Sequence, residues 1–249
     1  MKKSFIVRLF ALLLFCFISG NVYSNDKLVI VTEQYEPYEY LQNNQWIGLD
    51  IETITEMGKR AKIDIIIQEY PWARCLDMIE KGSADAIISL MKTKDREVYI
   101  RYPEESISFE RNVLIAKKKF TKKISTLSDL SGEIIGTING YEYPALFMNC
   151  NNFKRDESPN NITLLKKFST DRLNVIIFNE LVFYLQINKD VSELKNNINV
   201  LLEVGKDPLY IGFSKKSKNA VKLFDICNKT LKEMKKDGTI DKSINKYTK

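Results

Sequence analysis

Short apolar runs alternate with helical patterns in the first third of the chain, and this alternation constrains the fold more than any other feature. Residues 27–32, 63–68 and 84–90 are apolar enough to form buried strands. Between them, residues 48–61 carry apolar side chains at helical spacing, and residues 72–81 form a second helical stretch that ends at a glycine. The order β-α-β-α-β predicts a mainly parallel sheet with helices on its faces.

A second, smaller α/β pattern follows from about residue 126. Its expected elements are strands at 133–137, 162–164 and 175–178, helices from Gly140, near Lys166 and at 218–236, and extended segments at 107–116, 199–203 and 209–213. This order predicts two α/β lobes joined by two hinge strands, an arrangement that closes around a ligand in the cleft. The expected bounds are 25–115 with 205–249 for lobe 1, and 116–204 for lobe 2.

The amino terminus is typical of a secretory signal peptide. Lys2, Lys3 and Arg8 form a basic start, residues 10–18 are apolar but too short for a good membrane span, and Ser24 marks the expected cleavage site. No later run reaches the roughly 20 apolar residues that a membrane helix needs. Residues 1–24 are therefore expected to be removed, and the remaining protein is expected in the periplasm.

Charge and composition exclude several function classes. The signal peptide holds three basic residues and no acids, so its removal lowers the net charge from +6 to +3. The basic residues are scattered, which gives no support for nucleic-acid binding. The chain has no histidine, so a histidine-dependent triad is excluded and a typical zinc site is not expected. No cofactor is expected.

Three cysteines follow the signal peptide: Cys75, Cys150 and Cys227. An odd number leaves at least one thiol free or paired outside the chain. Small buried apolar thiols and a single disulfide are both compatible with the sequence.

Four landmarks, taken in order, resemble the extracytoplasmic solute-binding proteins of family 3, which serve polar amino-acid ABC importers. They are Tyr35-x-Pro37-Tyr38, Gly48-Leu49-Asp50-Ile51, Gly82-x-x-Asp85-x-Ile87 followed by Thr93-x-x-Arg96, and Asp237-Gly238-Thr239-Ile240 with Tyr247. The likeness runs from about residue 27 to the end. The string Pro71-Trp72-x-Arg74 resembles one branch of the family whose ligands are often undefined.

The resemblance implies that Arg96 pairs with a ligand carboxylate, a role that suits the planar guanidinium. The alternative is a surface arginine paired with Asp95 or Glu97. Further contacts are implied for Thr93 and for the backbone around Ser89, Leu90 and Met91. In the second lobe, Gly140 is expected to open a helix whose free amides suit an anion. The residues that follow it, Tyr141 and Glu142, are then expected at the ligand, although an ordinary turn remains the alternative.

Aromatic side chains and one departure from the family complete the expected site. Tyr35, Tyr38 and Trp72 are expected to form walls or to stack on the ligand, although Trp72 also suits a core position. Arg74 is a candidate ligand contact or a structural salt bridge. Where the family usually carries an Asp that binds the ligand ammonium, this chain has Asn179 followed by Glu180. Either Glu180 takes over that role, or the ligand is not a standard α-amino acid.

The resemblance implies a receptor that captures a small polar ligand, expected to bear a carboxylate, and delivers it to a membrane ABC permease. A monomer is expected. Two alternatives stay open. One is a periplasmic enzyme similar to the cyclohexadienyl dehydratases, in which Glu142 or Glu180 would be a general acid. The other is a ligand-sensing module that works with a partner protein.

Overall fold

The computed structural model describes residues 26–190 and 194–247, and the expected signal peptide lies outside them. The described strands are β1 (Asp26–Thr32), β2 (Tyr40–Gln42), β3 (Gln45–Ile47), β4 (Ile63–Glu69), β5 (Ala86–Met91), β6 (Ile100–Arg101), β7 (Ser108–Lys117), β8 (Ile134–Ile138), β9 (Lys154–Ser158), β10 (Val175–Asn179) and β11 (Ile198–Ser214). The described helices are α1 (Leu49–Ala61), α2 (Trp72–Lys81), α3 (Lys94–Glu97), α4 (Ala145–Met148), α5 (Asn161–Ser169), α6 (Glu180–Asp190), α7 (Lys218–Lys236) and α8 (Thr239–Tyr247), with a 3₁₀ turn at Leu127–Leu130.

The main sheet has the strand order β4-β1-β5-β11-β7-β10-β8-β9, and β6 pairs with β11. On one side, β1 runs parallel to β4 and β5. On the other side, β8 runs parallel to β9 and β10. The long strands β7 and β11 lie between these parallel sets and pair with each other antiparallel. The two parallel sets are therefore linked by two long strands, as the sequence predicts. The expected lobe bounds fall within β7 and β11 and stay predictions.

Each parallel set has its own apolar core. One core joins α1, α7 and β1, with Leu28, Ile54, Met57 and Leu231 fully buried. A second core on the other side joins the 3₁₀ turn, β8 and β10 through Leu130, Ile135, Phe147 and Ile177. Burial of each such side chain contributes roughly 1.5–3 kcal/mol, so the two cores stabilise the two sides separately.

The loop between β1 and β2 is fixed to the start of α1. The amides of Leu49 and Asp50 donate to the carbonyls of Pro37 and Tyr38 at 2.9 Å each. Gly48 makes this approach possible because it has φ of +130°, and a Cβ there would lie 2.3 Å from the Tyr38 carbonyl oxygen. The aromatic loop is thereby held at the carboxyl edge of the parallel strands.

The second half of the chain departs from the sequence-based expectations in several places. Residues 162–164 lie in helix α5 rather than in a strand, because Asn160 caps that helix by accepting from the Thr163 amide. The strand of this region is β9, whose sequence KRDES is too polar to be recognised. No helix starts at Gly140: residues 141–144 have no regular secondary structure, and α4 begins only after Pro144.

Two further expectations change near the carboxyl end. The two extended segments expected at 199–203 and 209–213 form the single strand β11. Val221, expected on the buried side of α7, is 53% exposed. Among the described residues, no helix is long and apolar enough to cross a membrane.

Candidate functional site

A small chamber lies where the carboxyl ends of β1 and β5 face the segment after β8. Its volume is about 30 Å³, which is roughly the volume of one water molecule. The lining residues are Glu33, Tyr35, Glu39, Trp72, Ser89, Leu90, Met91, Arg96, Glu110, Tyr141 and Glu142. They come from both sides of the sheet, so the chamber lies in the cleft that the sequence predicts.

Arg96 is a buried guanidinium at this chamber, with only 4% of its surface exposed. Thr93 caps the short helix α3 by accepting from the Arg96 amide at 3.3 Å, which sets the direction of the side chain. The guanidinium donates to the carbonyls of Met91 and Gly140 at 3.1 Å each, and it lies over the Trp72 ring at 5.7 Å. Within the described part of the chain it has no carboxylate within 4.0 Å.

The surface alternative for Arg96 is therefore wrong. Neither of its acidic neighbours in sequence contacts it, and Glu97 pairs instead with Lys92. A buried cation held only by carbonyl oxygens and an aromatic face is incompletely compensated. Its position favours a ligand anion as the missing partner.

Three aromatic rings form the walls of the chamber. Tyr141 packs edge-on against Tyr35 and Trp72, with ring centroids 6.2 and 5.8 Å apart. The Tyr141 hydroxyl donates to Glu33 across the cleft. The neighbouring Gly140 carbonyl accepts from the Trp72 indole at 3.1 Å as well as from Arg96. These contacts hold the segment after β8 against the opposite wall.

Two acids share a hydroxyl at the floor of the chamber. Ser89 Oγ lies 2.6 Å from Glu39 Oε2 and 2.5 Å from Asp50 Oδ2. A hydroxyl carries one proton, so one of the two carboxyls must itself be protonated and donate to Ser89. Burial and the neighbouring Asp50 charge raise the pKa of Glu39 well above its usual range, in agreement with this geometry.

Ser89 holds this position in an uncommon backbone conformation. Its φ is +59°, and the pairing register between β5 and β11 shifts opposite this part of the strand. Left-handed backbone in a non-glycine strand residue costs about 1–3 kcal/mol, and residues strained in this way cluster at functional sites. The bulge turns the hydroxyl towards the two acids.

Glu110 lies on β7 between this chamber and a second, smaller one of about 10 Å³. Tyr35 donates to Glu110 Oε2 at 3.3 Å, and the Asn179 amide donates to the same atom at 3.4 Å. Burial raises the pKa of Glu110 to about 7. The side chains that line both chambers are Tyr35, Glu110, Tyr141 and Glu142.

Asn179 has a structural role as well as a place in the second chamber. Its carbonyl oxygen accepts from the amides of Leu181 and Val182 at the start of α6. Its amide donates to the Tyr38 hydroxyl at 3.0 Å and, more weakly, to Glu110. The side chain that stands in place of the family's usual Asp is thus fully engaged within the protein.

The structure brings most of the predicted site residues together at the first chamber. Gly140 meets Arg96 through its carbonyl, Asn179 lines only the second chamber, and the three others line neither chamber. Tyr38 stacks behind Tyr35 at 5.2 Å and is buried, with its hydroxyl donating to the Phe109 carbonyl. Arg74 is exposed and lies over the Tyr70 ring. Glu180 pairs with Arg111 on the surface and lines neither chamber.

Four acids at or beside the chamber were missed by the sequence analysis as site residues: Glu33, Glu39, Asp50 and Glu110. The sequence carried a recognisable signal for two of these acids. Glu33 directly follows β1, so it lies at the carboxyl edge where parallel strands place ligand-binding residues. Asp50 belongs to one of the family landmarks. Nothing local distinguishes Glu39 or Glu110 from a solvated acid.

Among the described residues, the lining of the chamber includes no cysteine. Cys75, Cys150 and Cys227 are free thiols, and the first and last are buried, which favours the apolar-thiol alternative over a disulfide. In the described part of the chain, no group of three or more histidine, cysteine or acidic side chains is placed to hold a metal ion.

Comparison with known proteins defines the class. The profile of the bacterial extracellular solute-binding proteins, family 3, matches residues 28–249, and the chain belongs to this family. The arginine-binding extracellular protein ArtP of Bacillus subtilis (strain 168) is 26% identical over 236 residues, which cover 92% of this chain and 89% of that protein. The L-cystine-binding protein TcyA of the same strain is 26% identical over 224 residues, with 88% and 80% covered.

A solved ancestral arginine-binding protein bound to arginine has the same fold. The TM-score is 0.76 at 20% identity, and the likeness covers 90% of this chain and 98% of that one. At this identity the likeness shows the fold alone, the two-lobed fold of periplasmic binding proteins. The predicted family and fold class are confirmed.

Proposed function

We propose that this protein is a periplasmic receptor that binds a small carboxylate-bearing solute in the chamber at Arg96 and delivers it to a membrane ABC permease. The observation that carries the proposal is the buried Arg96 guanidinium, which lines the cleft without an acidic partner in the described part of the chain. Relatives named for binding arginine and cystine support an amino acid as the ligand.

The geometry supports a clamp in which a ligand carboxylate replaces neutral carbonyls as the acceptor of the Arg96 hydrogen bonds. Arg96 now donates to two neutral carbonyls. A ligand carboxylate would accept two parallel bonds from the guanidinium, and such charge-assisted pairs are roughly twice as strong as neutral ones. Because Arg96 is buried, the pair would also be weakly screened. Closure of the lobes would then be favoured by contacts from both sides of the cleft.

We propose that the protein binds its ligand without catalysing a reaction. Of the two acids considered as general acids, Glu180 is held by Arg111 outside both chambers. The curated relatives reported above are named as binding proteins. The protein is expected to act as a monomer in the periplasm.

The test is a thermal-shift screen with L-amino acids, small amines, dicarboxylates and prephenate. A ligand that binds only the folded protein at a hundredfold excess over its Kd adds about 2.7 kcal/mol of stability. We expect a shift with at least one amino acid, lost in Arg96→Ala and weakened in Arg96→Lys, which keeps the charge but not the planar fork. Arg172→Ala, at an exposed arginine, is the matched control.

A shift that survives Arg96→Ala would refute the carboxylate clamp. Consumption of prephenate by the wild-type protein would refute the receptor in favour of the dehydratase alternative.

A further inference from the structure

The cleft carries an excess of negative charge that the proposed carboxylate ligand does not explain. Four glutamates line the chamber against one arginine: Glu33, Glu39, Glu110 and Glu142. Within the described residues, no lysine or arginine lies within 4.0 Å of a carboxylate oxygen of the first three. This excess is local, because the whole chain has 38 basic and 32 acidic residues.

The chamber keeps an excess of acidic groups even when Glu39 and Asp50 share one proton. The pair of Glu39 and Asp50 must hold one proton between them because both contact the single Ser89 hydroxyl. This pair therefore keeps one further acidic group, and Glu33 adds another. Burial raises the pKa of Glu33, and the hydrogen bonds that it accepts from the Tyr141 hydroxyl and the Trp72 amide oppose that effect. The floor and one wall of the chamber thus present two acidic groups with which a ligand cation can pair.

The opposite end of the cavity holds another acid without a cation. Glu110 lines both chambers and is 8% exposed, and no lysine or arginine among the described residues pairs with it. Burial raises the pKa of Glu110, and the side-chain amides of Asn112 and Asn179 donate to it and oppose that effect. A buried carboxylate held only by neutral donors is incompletely compensated, and a ligand cation would compensate it.

A neighbouring groove has the same sign. This groove of about 850 Å³ shares Glu33 with the chamber and carries two further acids, Glu36 and Glu69. The lysine among its described lining residues, Lys189, is paired with Glu36. An acidic groove of this kind raises the local concentration of cations and speeds their association.

We propose that the ligand is a cationic amino acid, with its carboxylate on Arg96, its α-ammonium on the Glu33 and Glu39 side, and a second cationic nitrogen reaching Glu110. This inference rests on the proposed function and names its substrate class. Such a ligand neutralises the acids on both sides of Tyr141, whereas a neutral or acidic amino acid leaves one or more of them buried without a cation.

Tyr141 must move for this ligand to fit. The first chamber, at about 30 Å³, is far below the few hundred Å³ of a typical ligand pocket. Tyr141 lines both chambers and lies in the irregular segment 141–144, so its displacement joins them without disrupting a helix or strand. The side chain of the ligand then occupies the place of the Tyr141 ring, between Tyr35 and Trp72.

The test compares L-arginine with L-citrulline by isothermal titration calorimetry on the wild-type protein. Citrulline has nearly the shape of arginine but a neutral side chain. We expect citrulline to bind at least about tenfold more weakly, which corresponds to about 1.4 kcal/mol. In Glu110→Gln, an isosteric change, this arginine preference should collapse towards equality. L-lysine should bind in the wild type and agmatine, which lacks the carboxylate, should bind weakly.

The outcomes separate this inference from the proposed function. Equal binding of arginine and citrulline, or tighter binding of L-glutamine or L-glutamate, with every affinity lost in Arg96→Ala, overturns the cationic ligand but keeps the receptor. Agmatine binding as tightly as arginine overturns the carboxylate clamp. Absence of binding by any amino acid overturns both. A preference for arginine that persists in Glu110→Gln overturns the role given to Glu110.

Discussion

Replacement of Glu110 by glutamine should make the protein more stable at alkaline pH while leaving its stability at acidic pH nearly unchanged. Glu110 is 8% exposed and has no basic partner among the described residues within 4.0 Å. Glutamine has the same shape and keeps a carbonyl oxygen that can accept from Tyr35 and Asn179, the two donors on Oε2. The substitution therefore removes the ionisation and keeps an acceptor for these two hydrogen bonds.

The magnitude follows from the displaced pKa. Burial raises the pKa of Glu110 from 4.5 to about 7, and one unit of pKa is worth about 1.4 kcal/mol. Between these two pH values the folded protein keeps a proton that the unfolded chain has lost. The free energy of unfolding therefore falls as the pH rises, by about 3 kcal/mol in total from this group. In Glu110→Gln that fall is absent.

The measurement is urea unfolding of both proteins at several pH values from 4.5 to 8.5. We expect the difference in the free energy of unfolding, mutant minus wild type, to grow by about 3 kcal/mol across this range, with unchanged m-values. Titrating groups that do not interact with Glu110 affect both proteins alike and cancel in the difference. Asp50 is an exception, because its pKa is raised by burial and, to a smaller extent, by the Glu110 charge. Glu80→Gln, at an exposed position of α2, controls for the loss of one negative charge. Parallel curves for wild type and mutant would refute a buried, proton-holding Glu110.

Two further predictions concern the cleft and the thiols. Tyr141→Phe removes the hydroxyl that donates to Glu33. The affinity for arginine, measured by calorimetry, should therefore rise by about threefold to tenfold, which corresponds to one hydrogen bond. A weaker affinity would mean that the hydroxyl contacts the ligand. Burial raises the pKa of both Cys75 and Cys227 to about 12, so Ellman's reagent should modify Cys150 much faster than these two in the folded, processed protein. Fast labelling of either buried thiol would contradict their placement.

The fold could be predicted where the residue pattern and the burial agree. In the first lobe β1 and β5 are largely buried and amphipathic helices lie between the strands, so periodicity and glycine stops located α1, α2 and β5 within two residues. The pattern failed at β9, because this strand of charged residues lies at the edge of the sheet and needs no apolar run. It failed again at residues 162–164, where apolar side chains belong to a capped helix.

The site was predicted in part, and the missing part has a physical cause. Arg96 and the aromatic residues were found because they belong to short motifs at fixed spacing. Glu39 and Glu110 come to the chamber from a loop and from the crossover strand β7, so their meeting depends on closure of the chain over more than 70 residues. No local pattern in a single sequence predicts such a long-range contact. The same holds for Gly140, whose carbonyl rather than its amide meets Arg96.

The substitution Glu110→Gln also distinguishes an acid kept for the fold from an acid kept for a ligand. When an acid stabilises the folded protein, its neutralisation lowers the stability of the protein and should leave the affinity for the ligand unchanged. An acid buried without a cation lowers the stability of the protein that carries it, and it is useful only when a ligand brings the cation. For Glu110 we expect effects of opposite sign: greater stability at pH 8 and weaker binding of arginine relative to citrulline. A gain in stability without a change in this ratio would leave the acid without a role in binding, and a loss of stability would give it a structural one.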